Sequence, residues 1–252
     1  MSRSSRPYPP RKIRQPELQS RYLEPRQQLS VIIPTLNESS QIVRTLMALQ
    51  PLRQGGHEVI LVDGGSRDDT PALAEGLVDQ VLFSEPGRAR QMNLGARHAW
   101  GDTLLFLHAD TLIPFDLIAQ ISQALAEHQW GFFHVRMSGH HPMLRLVAGL
   151  MNLRSCLSGI GTGDQAIFIT RSLFEQVGGF APIPLMEDLE FCKRLRRKGR
   201  PACIRSPVTT SSRRWESQGL IRTVLLMWRL RWAYSRGADP EQLAKRYYPP
   251  SS

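Results

Sequence analysis

The hydrophobic positions of this chain fall into short unbroken runs, each followed by a polar cluster and then by residues with helical spacing. Runs of this kind begin near positions 29, 58, 80 and 103. Short apolar runs are typical of strands buried on both faces, as in a parallel sheet. We therefore predict four strands, at 29–33, 58–62, 80–84 and 103–107, in a parallel doubly wound α/β sheet.

Helical spacing dominates the second half of the chain. Apolar residues three and four positions apart predict helices after Pro114, with Phe115 and Ile118 on the buried face, and again over 142–157 and 171–177. Further strands are predicted at 130–137 and 166–170. A last helix, at about 219–236, is apolar but carries several arginines. It can pack on the domain, the more common fate, or lie in a bilayer interface.

Composition sets the domain boundaries and the general class of partner. Residues 1–28 are too polar to bury a core, so we expect a disordered basic tail followed by one domain over 29–248. The formal net charge of +10 favours nucleotides, nucleic acid or an acidic membrane surface. The three cysteines lie far apart, which indicates neither a zinc site nor a disulfide framework and fits a reducing cytosol. Since no apolar stretch is long enough to span a bilayer, we expect a cytoplasmic protein.

Polar residues follow the first two strands, at the sheet edge where open α/β sheets bind ligands. The first strand leads through Asn37 and Glu38 to a helix N-terminus, which is a natural nucleotide site. Alternatively, Asn37 and Glu38 are only turn residues. Asp63 ends the second strand, where its carboxylate can accept a hydrogen bond from a base or a ribose hydroxyl. The following Gly64 lets the backbone approach a ligand closely.

Charged residues also lie at the start of the third predicted helix and at the end of the fourth strand. Arg88 and Arg90 oppose the helix dipole, so their placement is explained if an anion binds there. The fourth strand ends in His108, Ala109 and Asp110. A carboxylate at this edge can hold a divalent cation, which in turn holds a diphosphate. The alternative is that Asp110 caps the next helix.

A helix that begins near position 187 opens with the carboxylates Glu187, Asp188 and Glu190 and ends with basic residues. This order suits the helix dipole and needs no function. However, a Pro- and Gly-rich segment precedes the helix and would bring its first residues toward a cleft. A carboxylate there can take a proton from an incoming hydroxyl. Both interpretations stay open. Further along, Trp215 can stack on a ring, and Arg214 can meet phosphate.

These motifs together resemble family 2 of the glycosyltransferases, which have the GT-A fold, over residues 29 to about 248. VIIPTLNE at 31–38, VDGGSRDDT at 62–70 and the strand ending in His-Ala-Asp at 108–110 fall in the family's order and spacing. Four further strings resemble a bacterial subgroup often called the radical-SAM/selenodomain-associated transferase 2 type. They are GRARQMNLGA at 87–96, GDQAIFITRSLFEQVGGF at 163–180, MEDLEF at 186–191 and SRRWE at 212–216.

The resemblance implies a role for each candidate residue. The nucleotide pocket would comprise Pro34, Thr35, Glu38, Asp63, Gly64 and Arg88. Within it, Asp63 would hold the base, commonly uracil, and Arg88 would approach the donor phosphates. Asp110 would bind the metal, Mn²⁺ or Mg²⁺. Asp188 would be the general base of an inverting transfer, with Glu187 beside it.

The acceptor and phosphate region would contain Asp164, Arg214 and Trp215. The chain departs from the family in two places. His108 replaces the first carboxylate of the DXD motif, and the QxxRW element of processive relatives lacks its glutamine. We therefore expect the transfer of a single sugar from a UDP-sugar to an unknown hydroxyl acceptor. Specific nucleic acid is not an expected partner, and peripheral contact at the inner membrane face is the alternative to packing of the last helix on the domain.

Two other functions are compatible with the residues. A nucleotidyltransferase can share this α/β layout, but it would usually have a glycine-rich loop with a basic residue directly after the first strand. Here that loop reads PTLNE. A non-catalytic basic module would bind nucleic acid through its tails, with a steep salt dependence and no need for Asp110.

Overall fold

The computed structural model describes residues 28–213, 216 and 219–248, the side chain of Ile221 excepted. The basic tail predicted for 1–28 therefore lies outside the described residues, apart from Gln28. Arg214 and Trp215, which the sequence assigns to the acceptor region, also lie outside them.

The first half of the domain is a run of parallel strands joined by helices. The strands are β1 (Leu29–Thr35), β2 (Glu58–Asp63), β3 (Gln80–Phe83) and β4 (Thr103–Phe106). The helices between them are α1 (Ser39–Gln54), α2 (Thr70–Ala74) and α3 (Arg88–His98). The strands lie in the order β3-β2-β1-β4, and Thr35 at the end of β1 is in register with Asp63 at the end of β2. Their carboxyl ends therefore form a common edge.

The second half completes the sheet with strands of both directions. Its strands are β5 (Thr111–Leu112), β6 (Trp130–Met137), β7 (Ile167–Thr170) and β8 (Ala202–Thr210). Its helices are α4 (Leu117–Leu125), α5 (Pro142–Ser158), α6 (Arg171–Val177), α7 (Glu187–Arg196), α8 (Leu220–Ser235) and α9 (Pro240–Tyr247). The order of the described strands is β3-β2-β1-β4-β7-β6-β8-β5.

The predicted α/β fold is confirmed, but the sheet is mixed and not doubly wound throughout. Strand β7 is antiparallel to both β4 and β6, and β5 is antiparallel to β8. Strand β8 is absent from the sequence prediction. Its register with β6 jumps from Ile204 to Pro207, so Pro207 follows a β-bulge.

Both faces of the sheet are covered, which explains the unbroken apolar runs. On β1, Val31 and Ile33 belong to a cluster that includes residues of α1 and α4. The intervening Ile32 faces the opposite cluster, with residues of α3, α6 and α7. A third cluster joins α8 and α9 to the segment around the start of α7; its buried residues are Leu185, Met186, Leu189, Leu230 and Leu243.

Two further expectations need correction. Phe115 is fully exposed and precedes α4, because that helix begins only at Leu117. Cys156 on α5 and Cys203 on β8 form a disulfide with their Cα atoms 5.7 Å apart. Spacing along the chain gave no sign of this pair, because it is packing of α5 beside β6 and β8 that brings the two residues together. Within the described ranges, no helix is both long and apolar enough to cross a bilayer.

Candidate active site

A cavity of about 1410 Å³ lies at the carboxyl edge of β1 and β4. The elements that line it include the loop after β1, the starts of α3 and α7, the end of β4, and helices α5, α8 and α9. Most of the predicted site residues face it: Pro34, Thr35, Glu38, Arg88, Asp110, Asp164, Glu187 and Asp188. The structure therefore brings together residues that are up to about 150 positions apart in the sequence.

A buried glutamine fixes the edge of the sheet beside this cavity. Gln91 Nε2 donates to the carbonyl oxygens of Thr35 and Val62, at 2.8 Å in each case. Gly64 N also donates to Thr35 O, at 2.9 Å. A Cβ atom on Gly64 would lie 3.0 Å from Gln91 Nε2. The close approach of Gln91 therefore accounts for glycine at position 64.

Asp63 ends β2 as predicted, and its carboxylate is hydrogen-bonded within the loop that follows the strand. Its Oδ2 accepts hydrogen bonds from Gly65 N (2.9 Å) and Ser66 N (2.8 Å), and its Oδ1 accepts from Ser66 Oγ (2.5 Å). This is an Asx turn, which occupies both carboxylate oxygens. Neither Asp63 nor Gly64 lines the cavity. The two residues shape the loop beside the cavity, and their assignment to the nucleotide base stays a prediction.

Two carboxylates of like charge face the cavity near the end of β4. The pKa of Glu38 lies above its ordinary value because the side chain is partly buried and because Asp110 is negative, while Arg213 and His108 oppose this shift. Arg213 Nη2 lies 3.1 Å from Glu38 Oε2. Asp110 Oδ1 accepts two long hydrogen bonds, from Thr210 Oγ1 at 3.4 Å and from Thr111 Oγ1 at 3.5 Å. The repulsion between Glu38 and Asp110 is what a bound cation would relieve.

The donor set at Asp110 fits a divalent cation that is held mainly by its ligand. In the described part of the chain, three His, Cys, Asp or Glu ligand atoms come within 4.8 Å of one another only at His134, Cys156 and Cys203, none of which lines the cavity. Asp110 therefore belongs to no protein cage. A single carboxylate that shares a cation with phosphate oxygens and water is the usual arrangement for Mg²⁺, so the residues present fit such an ion.

A short 3₁₀ turn, Gly163–Gln165, lies between the end of β4 and the start of α7 and is hydrogen-bonded to residues at both. His108 Nδ1 lies 3.0 Å from Asp164 Oδ1, and Gly163 N donates to Asp188 Oδ2 at 3.0 Å. The fit is tight, because a Cβ atom on Gly163 would lie 2.7 Å from His108 Cε1. Asp164 and Asp188, which the sequence treats separately, are thus held by one small element.

The start of α7 presents Glu187 and Asp188 to the cavity. The preceding residue, Met186, is buried and has a left-handed backbone conformation with φ of 69°, which is uncommon for a residue other than glycine. Burial and the charge of Asp188 raise the pKa of Glu187, and Arg88 opposes this effect. The pKa of Arg88 is raised in turn, since the negative groups around it outweigh the effect of burial.

Sequence reasoning missed several residues that line the cavity. Tyr247 and Tyr248, at the end of α9, lie close enough to Arg88 to affect its pKa. Arg154 on α5 and Arg231 on α8 also face the cavity. The only sign of Arg154 and Arg231 in the sequence is that arginines occur in otherwise apolar helices. This pattern does not tell which face of each helix is covered.

Comparison with known proteins identifies the family. The model for glycosyl transferase family 2 matches residues 30–141. An uncharacterized glycosyltransferase of Mycobacterium tuberculosis is 35% identical over 192 residues, which cover 70% of this chain and 72% of the relative. A PGL/p-HBAD biosynthesis glycosyltransferase of Mycobacterium bovis is 32% identical over 164 residues, 60% of this chain and 62% of its own. The chain therefore belongs to glycosyltransferase family 2.

Solved structures show the same fold. A mannosyltransferase from Pyrobaculum calidifontis, in complex with GDP-Man and Mn²⁺, has a TM-score of 0.58 at 24% identity and covers 74% of this chain and 56% of its own. Glucosyl-3-phosphoglycerate synthase from M. tuberculosis, with Mn²⁺ and UDP, has a TM-score of 0.54 at 22% identity, covering 73% of this chain and 72% of its own. The predicted family and GT-A fold are confirmed. The narrower bacterial subgroup stays a prediction, and the two rival functions receive no support.

Proposed function

We propose that this protein transfers one sugar, with inversion, from a nucleotide-diphosphate donor to a hydroxyl acceptor, and that the donor is a UDP-sugar. One observation carries the proposal: Arg88, Asp110 and Asp188 come from three separate elements and line a common cavity. They supply a cation for phosphates, a ligand for a metal and a base for the acceptor. A transfer between a diphosphate donor and a hydroxyl requires these three kinds of group.

Asp188 is assigned as the general base. Its Oδ2 accepts from Gly163 N at 3.0 Å and its Oδ1 accepts from Leu189 N at 2.7 Å, so the carboxylate has a fixed orientation. It takes the proton of the acceptor hydroxyl as the oxygen attacks the anomeric carbon. The bond from that carbon to the diphosphate breaks, and the electron pair leaves with the diphosphate. Attack from the face opposite the leaving group inverts the anomeric configuration.

The donor half of the cavity would bind the nucleotide through Pro34, Thr35 and Glu38. Arg88, at the N-terminus of α3, stabilises the charge that develops on the departing diphosphate. Asp110 would hold Mn²⁺ or Mg²⁺, which when bound supplies further neutralisation of that charge. The buried Glu187 lies near Arg88 and is assigned as the residue that positions its guanidinium.

The proposal is tested with the full chain. Calorimetry with UDP and Mn²⁺ should show binding, and a panel of nucleotide sugars should include one from which UDP is released. Asp188→Asn should slow that release by about 10²–10⁴-fold, the usual range for general base catalysis, and leave UDP affinity within about twofold because this residue contacts the acceptor. Asp102→Asn is the matched control, since this exposed carboxylate lies at the opposite end of β4 and outside the cavity.

Two results would count against the proposal. If no nucleotide sugar releases UDP and UDP does not bind, the protein is not a transferase of this kind. If Asp188→Asn instead weakens UDP binding, Asp188 belongs to the donor site and not to the acceptor. Once an acceptor is found, the anomeric configuration of the product by NMR tests inversion.

A further inference from the structure

Helices α5 and α8 both line the cavity, and each carries an exposed apolar stripe. The α5 stripe consists of Leu146, Leu150, Leu153 and Leu157, and the α8 stripe of Leu225, Trp228 and Trp232. Leu157 is 79% exposed and Trp228 is 66% exposed. The spacing of three and four residues places each stripe along one helix face. Two neighbouring stripes of this size exceed the scattered apolar residues that a protein surface normally shows.

The stripes continue into the cavity. Leu150, Leu153 and Leu157 of the α5 stripe and Trp228 of the α8 stripe also line the cavity, and Asp188 lies near enough to these helices to act on Arg154 and Arg231. A ligand that reaches Asp188 along these helices therefore passes over apolar surface. A free sugar or another strongly hydrated acceptor gains little from such a surface, whereas an alkyl chain gains free energy for every methylene that it buries there.

Each of these two helices also carries one arginine that lines the cavity, Arg154 on α5 and Arg231 on α8. In the described part of the chain, neither arginine forms an ion pair with a carboxylate. The Nε atom of Arg154 is buried and has no hydrogen-bond partner there. Burial lowers the pKa of both guanidiniums, and Asp188 partly offsets this effect. These two adjacent guanidiniums share the single carboxylate of Asp188, so a net positive charge is left to bind an anionic group.

The outer surface of these two helices has the same character. Neither α5 nor α8 contains an acidic residue, and their exposed charged side chains are Arg145, Arg222 and Arg229. Helices with an apolar stripe and only basic charges are typical of proteins that lie on anionic membranes. The basic charge and the apolar stripes of these two helices therefore both favour a ligand that comes from an anionic membrane.

We propose that the acceptor is an anionic membrane amphiphile, with its acidic group between Arg154 and Arg231 and its apolar chain along the α5 and α8 stripes. This inference rests on the proposed function, because it names the substrate class of the acceptor half of that site. The acidic group lies next to the accepting hydroxyl, which faces Asp188. The stripes extend the apolar path out to the bilayer that supplies the lipid.

Binding of three soluble probes by the wild-type chain, measured by calorimetry below micelle concentrations, separates the two parts of this inference. The probes are dodecyl phosphate, inorganic phosphate and the uncharged dodecyl maltoside. We expect dodecyl phosphate to bind at least about tenfold more tightly than either of the others, because it alone uses both the arginines and the stripes. Equal affinity for inorganic phosphate would overturn the apolar part, and equal affinity for dodecyl maltoside would overturn the anionic part.

Variants assign the two contributions to residues. Arg231→Gln should weaken dodecyl phosphate by at least about fivefold and leave dodecyl maltoside unchanged. Leu153→Asn should weaken both alkyl probes to a similar degree. Leu153 is 57% exposed, so its replacement removes no core residue. Phe115→Ala is the matched control, since it removes an exposed apolar side chain outside both helices and should change nothing. Loss of probe binding in the control would overturn the assignment.

Vesicles test the membrane source of the acceptor. The protein should sediment with vesicles of phosphatidylglycerol and not with vesicles of phosphatidylcholine, and Trp228→Ala should reduce the bound fraction. Equal binding to both vesicles, or to neither, would overturn the membrane part of the inference. UDP calorimetry on the same samples separates the two proposals: intact UDP binding without probe preference refutes this inference alone, and absent UDP binding refutes the proposed function.

Discussion

The turn that holds the proposed base allows a sharp prediction. Gly163 donates its amide hydrogen to Asp188 Oδ2 at 3.0 Å and packs against the ring of His108. In Gly163→Ala, the new methyl group would lie 2.7 Å from His108 Cε1 and closer still to Nε2. The ring can make room only by giving up its contact with Asp164 on the same turn, or the turn itself must shift. We expect the turn and the end of β4 to move apart.

The size of the effect follows from this overlap. Overpacking of a well-filled site costs about 1–3 kcal/mol, which for a chain of this length corresponds to a fall in Tm of about 2–4 °C per kcal/mol. Activity should suffer more than stability, since a displacement of about 1 Å at a catalytic group costs on the order of 10²-fold in rate. Asp188 would lose a charge-assisted hydrogen bond and its fixed orientation. UDP affinity measured in EDTA, without the metal at Asp110, should stay within about twofold, because the hydrogen bonds of the turn among the described residues do not involve Pro34, Thr35 or Glu38.

The assay is UDP release from the donor, together with calorimetric UDP binding and a thermal melt. The matched control is Gly149→Ala on α5, where a Cβ atom would meet nothing within 4 Å. Alanine in an exposed helix position is favoured over glycine by about 1 kcal/mol, so this variant should be as stable as the parent or more so. A folded Gly163→Ala protein that releases UDP within twofold of the parental rate would refute the role given to the turn.

Three further predictions concern other parts of the molecule. Reduction of the disulfide between α5 and β8 should lower the free energy of unfolding by about 2–4 kcal/mol in urea titrations, and denatured, unreduced protein should show only the thiol of Cys192; three reactive thiols would contradict the pairing. Burial and the charge of Asp188 raise the pKa of Glu187 to about 7, so this carboxyl contributes stability that is complete below its unfolded pKa and is lost as the pH rises through 7. Glu187→Gln should flatten that part of a stability–pH curve, and parallel curves would exclude this cause. Asp110→Asn should weaken UDP binding by at least about tenfold with Mn²⁺ present but leave it unchanged in EDTA; an equal loss in both conditions would mean that Asp110 does not act through a metal.

The parts of the fold that the sequence predicts well are those where local pattern and burial agree. β1, β2 and β4 are covered on both faces, so their apolar runs stand out. Strand β8 was missed because its nine residues include Arg205, Ser206 and Pro207 next to a bulge, which interrupts any regular period. The apolar pattern also could not predict the direction of β7, because a short apolar run looks the same in a parallel and in an antiparallel pair.

For the candidate site too, positions that follow from strand ends could be predicted from the sequence, whereas positions that depend on the packing of distant segments could not. Residues that follow strand ends, such as Glu38 and Asp110, were placed correctly at the cavity because topology alone brings them together. Asp63 lies beside the cavity and is not among its lining residues, because the Asp-Gly-Gly-Ser string is also a turn sequence and the turn engages both carboxylate oxygens. Arg154 and Arg231 could not be found, since their positions depend on how α5 packs beside β6 and how α8 packs on the start of α7.

The third apolar cluster divides the molecule into separable parts. Leu230 and Leu243, from α8 and α9, pack on Leu185, Met186 and Leu189, and this group shares no buried residue with the two cores of the sheet. An exchange of α8 and α9 between relatives therefore removes no buried residue of the two sheet cores, but it must keep Tyr247 and Tyr248, which lie near Arg88 of the proposed donor site. Such chimeras should keep their donor and change what receives the sugar.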